Sequence, residues 1–171
     1  MKKITILLLV LAATAFRLFA DPAEGYWLSI DDKTKKVTAG WHIYVENGIL
    51  YGKILSMADW PPETLAESCK ENYDNVDYPI PGKVNQMPVV GTIWLWGLSI
   101  SKPGEWKGGK IIEPDTGKVY WGSVTFRPAD GKKYLTDTLE MRGSLDKAGL
   151  LGRSQNWRKS TLQEASSLRP N

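Results

Sequence analysis

His42 and Cys69 are the only histidine and the only cysteine of the chain, so they are the first residues to test for chemistry. Together they do not complete a metal-binding set, which needs further nitrogen, sulfur or carboxylate ligands at short spacing. As a nucleophile and base they would need a third group to orient them, and none is singled out by its spacing. Ser154 lies in no strand-to-helix nucleophile elbow, and Gly108-Gly109 lacks the residues that surround a phosphate-binding loop. Asp31-Asp32 lack the other oxygen ligands of a calcium loop and read as part of a solvated turn. Carboxylates are plentiful, but no pair has an identifying partner arrangement. The sequence therefore assigns no catalytic residue, no metal and no cofactor.

The aromatic residues carry more information. Eight tryptophans and seven tyrosines exceed what the core of a small domain requires. Trp27, Trp41, Trp121 and Trp157 read as structural anchors. Trp60, Tyr73, Tyr78, Trp94, Trp96 and Trp106 border turns or irregular segments, which makes them candidates for contact with a ligand or another protein. The same rings can equally fill a barrel and leave no cavity. Arg142, Arg153 and Arg158 form the other notable set. Their planar donor geometry suits an anionic head group or a partner carboxylate, while pairing with Asp137, Glu140 or strand-end carbonyls is the plainer role.

The elements that must position these groups read almost entirely as strands. Short apolar or aromatic runs are separated by Gly-containing turns, without a sustained helical period. Strands are expected at 26–30, 37–45, 49–57, 89–100, 120–126, 134–142 and 150–157. Between 106 and 121 lies a hairpin whose turn is Pro114-Asp115-Thr116-Gly117. Asn47-Gly48 is a strong hairpin turn. In the last strand, Arg153 and Gln155 are assigned to one face and Trp157 to the other. Residues 58–88 break the rhythm: 63–70 fits a short helix with Leu65, Ala66 and Cys69 inward, and the rest reads as an ordered excursion. The whole is an all-β, small antiparallel barrel with an irregular excursion containing a short helix.

Residues 1–20 stand apart from that fold. Lys2-Lys3, the apolar run 4–13 and Ala20 before Asp21-Pro22 read as a secretory signal peptide cleaved after Ala20. The 22 basic and 19 acidic residues include Lys2, Lys3 and Arg17 in that leader, which leaves residues 21–171 formally neutral. The basic balance of the full chain thus gives no support for nucleic-acid binding. No transmembrane span is expected after the leader. About 150 residues bury roughly 68–70% of their unfolded surface, enough for one core. We assign 21–160 to one barrel domain and 161–171 to a polar C-terminal tail. Cys69 has no intrachain partner and is expected to be buried.

The motifs Gly25-Tyr26-Trp27, Gly48-Ile49-Leu50-Tyr51-Gly52-Lys53-Ile54, the 106–120 segment, and Arg142-Gly143 through Leu151-Gly152-Arg153-Ser154-Gln155-Asn156-Trp157-Arg158 together resemble the DUF2147 family of uncharacterised exported bacterial proteins. The resemblance covers essentially the chain after the leader. It implies a lipocalin-like barrel located in the periplasm or secreted, and it supplies no molecular function. Two readings follow. The first is a noncatalytic envelope protein that binds a small amphiphile, with Tyr51, Trp94 and Trp96 giving apolar contact and Arg153 orienting the polar end. The second is a filled barrel that contacts an envelope protein through Trp60, Tyr73, Tyr78 and Trp106.

Overall fold

The computed structural model describes residues 20–170. The signal-peptide assignment falls almost wholly on 1–19, outside the described residues. Eight strands follow in order: β1 Gly25–Ile30, β2 Val37–Glu46, β3 Ile49–Met57, β4 Ile93–Lys102, β5 Glu105–Glu113, β6 Lys118–Arg127, β7 Thr138–Ser144 and β8 Gly152–Ser160. Each pairs with the next, and β8 pairs with β1, giving a closed antiparallel barrel in sequence order. The all-β barrel expected from the strand rhythm is therefore the fold.

Period-two alternation explains which side chains enter the core. Leu50, Gly52 and Ile54 of β3 are buried, whereas Tyr51, Lys53 and Leu55 on the opposite face are partly exposed. Trp27, Ile43, Leu95, Leu98, Val124, Leu139 and Trp157 are fully or almost fully buried in one cluster. Gly108-Gly109 lies inside β5, where the pairing with β6 skips a residue. Gly108 takes a φ of +81°, and a Cβ on Gly109 would collide with the Leu98 side chain at 2.5 Å. A bulge that sharpens local curvature is what a tight eight-stranded closure needs.

The excursion between β3 and β4 departs from expectation. Residues 63–70 form no α-helix. Leu65 bridges Pro88, Ala66 N–H donates to Met87 O at 2.9 Å, and Val89 N–H donates to Thr64 O at 2.9 Å. Pairing across the excursion thus satisfies backbone groups that a helix would have satisfied internally. Helical structure in the excursion is limited to two short 3-10 turns, Asp74–Val76 and Val84–Gln86.

The polar end of the chain folds back onto the barrel. A single helical turn, α1 Leu162–Ala165, is capped by Thr161, whose side chain accepts from Glu164 N–H. It packs on β1 and β2 with Ala165 fully buried. Ser56 Oγ donates to Ala165 O at 2.7 Å and accepts from Leu168 N–H at 3.2 Å. Gly40 leaves the space in which the Ala165 carbonyl sits.

Candidate functional site

The up-and-down order sends alternate loops to opposite ends of the barrel. One end carries the β1–β2 turn, the β5–β6 tip, the β7–β8 loop and part of the excursion. There a cavity of about 1150 Å³ opens among Ile54, Trp41, Ile112, Met141, Gln155 and Trp157. That volume is at or above the upper end of small-molecule sites, which run to roughly 1,000 Å³.

Its wall is built around two indoles. Trp41 of β2 and Trp157 of β8 stack with centroids 4.7 Å apart and planes 28° from parallel. Each is oriented by a hydrogen bond: Trp41 Nε1–H to Ser29 Oγ at 3.2 Å, and Trp157 Nε1–H to Gln155 Oε1 at 3.2 Å. Ser29 is itself fixed, accepting from Ala39 N–H at 3.0 Å and sharing a 2.8 Å hydroxyl contact with Thr38. The rings are thus pre-positioned, which lowers the ordering cost of any occupant.

Strand β8 corrects one sequence expectation. Thr138 through Ser144 pair one-to-one with Arg158 back to Gly152, without a bulge. Residues 153, 155 and 157 therefore share a face, and Trp157 sides with Arg153 and Gln155 rather than opposing them. Arg153 reaches the cavity mouth. Its Nη2 lies 3.3 Å from Asp32 Oδ1 and 4.0 Å from Asp31 Oδ2. Asp32 Oδ1 nevertheless has no hydrogen bond of acceptable geometry. We read the contact as ionic attraction that holds the guanidinium at the rim while leaving its donor fork uncommitted. Asp31 supports this: hydrogen bonds from Thr34 chiefly, and the charge of Arg153 in lesser measure, hold its carboxyl below the usual range.

The other two arginines are spent on structure. Arg142 donates through Nε and Nη2 to Gly149 O at 2.9 and 2.7 Å, fixing the β7–β8 loop. Arg158 donates to Glu164 at 2.7 Å. The loop that Arg142 holds presents Leu145, Leu150 and Leu151 at 71%, 80% and 66% exposure beside the mouth. Asp146 accepts from Leu150 and Leu151 N–H, which stiffens this lip.

Of the four ligand candidates from sequence, Arg153 alone lines this cavity. Tyr51 stacks on Tyr44 at 5.6 Å on the outer face, and with Trp96 it borders a separate outer groove of about 410 Å³. Trp96 is covered edge-on by Tyr78 and donates to Val76 O at 3.3 Å. Trp94 is fully buried and donates to Val89 O at 2.8 Å. Those two tryptophans serve to hold the excursion on the barrel.

The four protein-contact candidates also turn inward. Tyr73, 2% exposed, donates to Gly117 O at 2.8 Å and so ties the excursion to the β5–β6 tip. Tyr78 donates to Ile93 O at 3.0 Å. Trp106 is buried near the opposite end, donating to Asp21 Oδ1 at 3.0 Å, and Trp60 is half-buried against the core. Burial pushes the Tyr73 phenol up to about 12 and raises the Cys69 thiol. Cys69 is a free, buried thiol whose Sγ faces Pro114 O at 3.8 Å. His42 stacks between Tyr26 and Tyr44 on the outer face of β2, its pKa lowered chiefly by desolvation. The Cys69–His42 pair considered from sequence is therefore not assembled. Among the described residues no group of three or more His, Cys, Asp or Glu side chains is placed to hold a metal.

Trp41, Trp157, Ser29 and Gln155 line this cavity, yet the sequence does not single them out, because their aromatic and polar types also fit a filled core. The available signal was the i, i+2, i+4 series Arg153, Gln155, Trp157, which becomes diagnostic once the β7–β8 register is known.

Comparison with solved structures places the fold beside "Protein HP1028 from the human pathogen Helicobacter pylori belongs to the lipocalin family", at a TM-score of 0.64 and 21% identity, covering 85% of this chain and 88% of that one. At that identity the likeness speaks to fold alone. No curated protein sequence matches the chain. The motifs quoted from the sequence agree with a family-model match over residues 25–159, and the chain accordingly belongs to DUF2147, described as an uncharacterized protein conserved in bacteria.

Proposed function

We propose that this protein is a noncatalytic binding protein that holds a small amphiphile in the mouth of its barrel, in the periplasm or after secretion. The observation that carries the reading is the cavity of about 1150 Å³ walled by the Trp41–Trp157 stack, with Arg153 at its rim. The apolar portion would lie against Trp41, Trp157, Ile54 and Met141, where burial gains roughly 25 cal/mol per Å². An acidic head group would take the uncommitted donors of Arg153 and loosen its hold on Asp31 and Asp32. Leu145, Leu150 and Leu151 give the entrance an apolar lip. The lipocalin-like fold of the structural neighbour is consistent with small-ligand binding. The alternative of a protein-contact surface on the excursion has less support, because Tyr73, Tyr78 and Trp106 make inward hydrogen bonds.

The test is titration of residues 21–171 with palmitate and with its uncharged alcohol, read by tryptophan emission, alongside native mass spectrometry of protein purified gently from the cell envelope. Saturable binding that Trp157→Leu abolishes is expected. A ligand-free native mass together with no response to either probe refutes the reading.

A further inference from the structure

The barrel end away from the cavity is closed by Asp21-Pro22-Ala23-Glu24, and nearly every polar group of that run has a partner. Asp21 Oδ2 accepts Gly104 N–H at 2.9 Å, while Oδ1 accepts Trp106 Nε1–H at 3.0 Å and Ala23 N–H at 2.9 Å. Trp27 Nε1–H donates to Ala23 O at 2.9 Å. Glu24 N–H donates to Asp21 O at 2.8 Å, and Glu24 Oε2 accepts Val45 N–H at 3.1 Å. Lys159 Nζ donates to Glu24 O at 2.8 Å while lying 4.3 Å from the Trp27 ring centre. The remaining oxygen, Glu24 Oε1, accepts the main-chain N–H of Asp21 at 2.8 Å. A carboxylate is thus seated on the nitrogen that cleavage after Ala20 would free. Ala20 itself is exposed, and Asp21 is the first described residue tied into the fold.

We propose that a leader peptidase cuts between Ala20 and Asp21, and that the α-ammonium so created stays on Glu24 as an ion pair that locks the closed end. Water adds across the Ala20–Asp21 amide. The Ala20 carbonyl carbon gains the hydroxyl and departs as a carboxylate, and the Asp21 nitrogen takes up protons to become an ammonium. A hydrogen bond in which only the acceptor is charged thereby becomes an ion pair in which both partners are charged. A cut further along would remove Asp21 and strand the Gly104 and Trp106 donors. Maturation and completion of the fold are, in this reading, one event.

The charges facing the new ammonium are the Asp21 and Glu24 carboxylates on its own segment, Lys159 from β8, His42 from β2 (within electrostatic reach of Glu24) and Glu105 at the β4–β5 corner. Glu105 is engaged by Lys102 and Lys107. The two nearest carboxylates raise the amine above the ordinary α-amino value of about 7.7–8.0. A raised folded-state value means that the added stability is present below the ordinary value and is lost as pH rises through the folded one.

The experiment expresses the full chain with its leader in an exporting bacterium, takes the intact mass of the envelope product, and follows the α-amine by NMR titration. The expected product begins at Asp21, and its amine titrates above the ordinary value. In Glu24→Gln the amine titrates lower than in wild type. A 21–171 chain carrying a Gly-Ser extension keeps Glu24 and the fold but lacks the stability loss between about pH 8 and pH 10 that the free terminus shows. A different first residue, a retained leader, or an amine that titrates alike in wild type and Glu24→Gln overturns the proposal.

Discussion

Gly40→Ala is the sharpest probe of how the C-terminal turn is held. A methyl group there would overlap the Ala165 carbonyl oxygen, with the carbonyl carbon at 2.5 Å and Cα at 2.7 Å. These are backbone atoms, so no rotamer change relieves the overlap and α1 must retreat by about 1 Å or more to reach ordinary contact. Retreat breaks the Ser56 Oγ bonds to Ala165 O and Leu168 N–H, at about 1 kcal/mol each. It also begins to uncover Leu28 and Ala165, now 1% and 0% exposed, for roughly another 1 kcal/mol. The sum is about 3 kcal/mol, or roughly 6–12 °C in Tm for a domain of this size. Calorimetry would compare 21–171, Gly40→Ala, a chain ending at Ser160, and the double variant. If α1 is the object struck, the double variant melts with the truncation alone, because the clash has lost its partner. A Gly40→Ala protein with wild-type Tm, or one that loses its full increment in the truncated chain as well, refutes the reasoning.

Arg153→Gln is expected to weaken palmitate binding about tenfold, the equivalent of 1.4 kcal/mol, while leaving the uncharged alcohol unchanged in isothermal titration. Tyr73, whose phenol burial pushes up to about 12 from an ordinary value of about 10, contributes stability that is intact below pH 10 and is lost as pH climbs through about 12. Tyr73→Phe should remove that share of alkaline unfolding, read by ultraviolet absorbance and melting at stepped pH. The Trp41–Trp157 stack should give an exciton couplet in circular dichroism that Trp157→Leu abolishes and a bound ligand perturbs. The Cys69 thiol, buried and with its pKa raised, should react with a disulfide reagent far more slowly in the folded than in the urea-unfolded protein.

Alternation within single strands was readable from the sequence, and so was most of the barrel. The Asn47-Gly48 turn and β3 Ile49–Met57 stand where expected. Boundaries slipped where apolar residues do not mark pairing. The expected strand at 89–100 begins at Ile93, because residues 89–92 are occupied with the excursion and with Ile54. The expected strand at 134–142 begins at Thr138, because Tyr134 closes a turn on Asp130. The helix expected at 63–70 failed for a non-local reason, since its backbone pairs with residues 87–89. The site was less legible than the fold. Trp94 and Trp96 differ from Trp41 and Trp157 only in what lies opposite them, and that is a property of register between strands. Arg153 draws notice in the sequence because an arginine in a closing strand needs a reason, whereas a tryptophan in a barrel does not.

The ring is closed by only three residue pairs between β1 and β8, Tyr26 with Ser160, Trp27 with Lys159 and Leu28 with Arg158. These join the first strand made by the ribosome to the last. The fold therefore cannot be completed in stages during synthesis: β1 has β2 beside it early but waits for its other neighbour until the other seven strands exist. Such a distant closure slows folding. The topology itself keeps the barrel open until its final strand has been made.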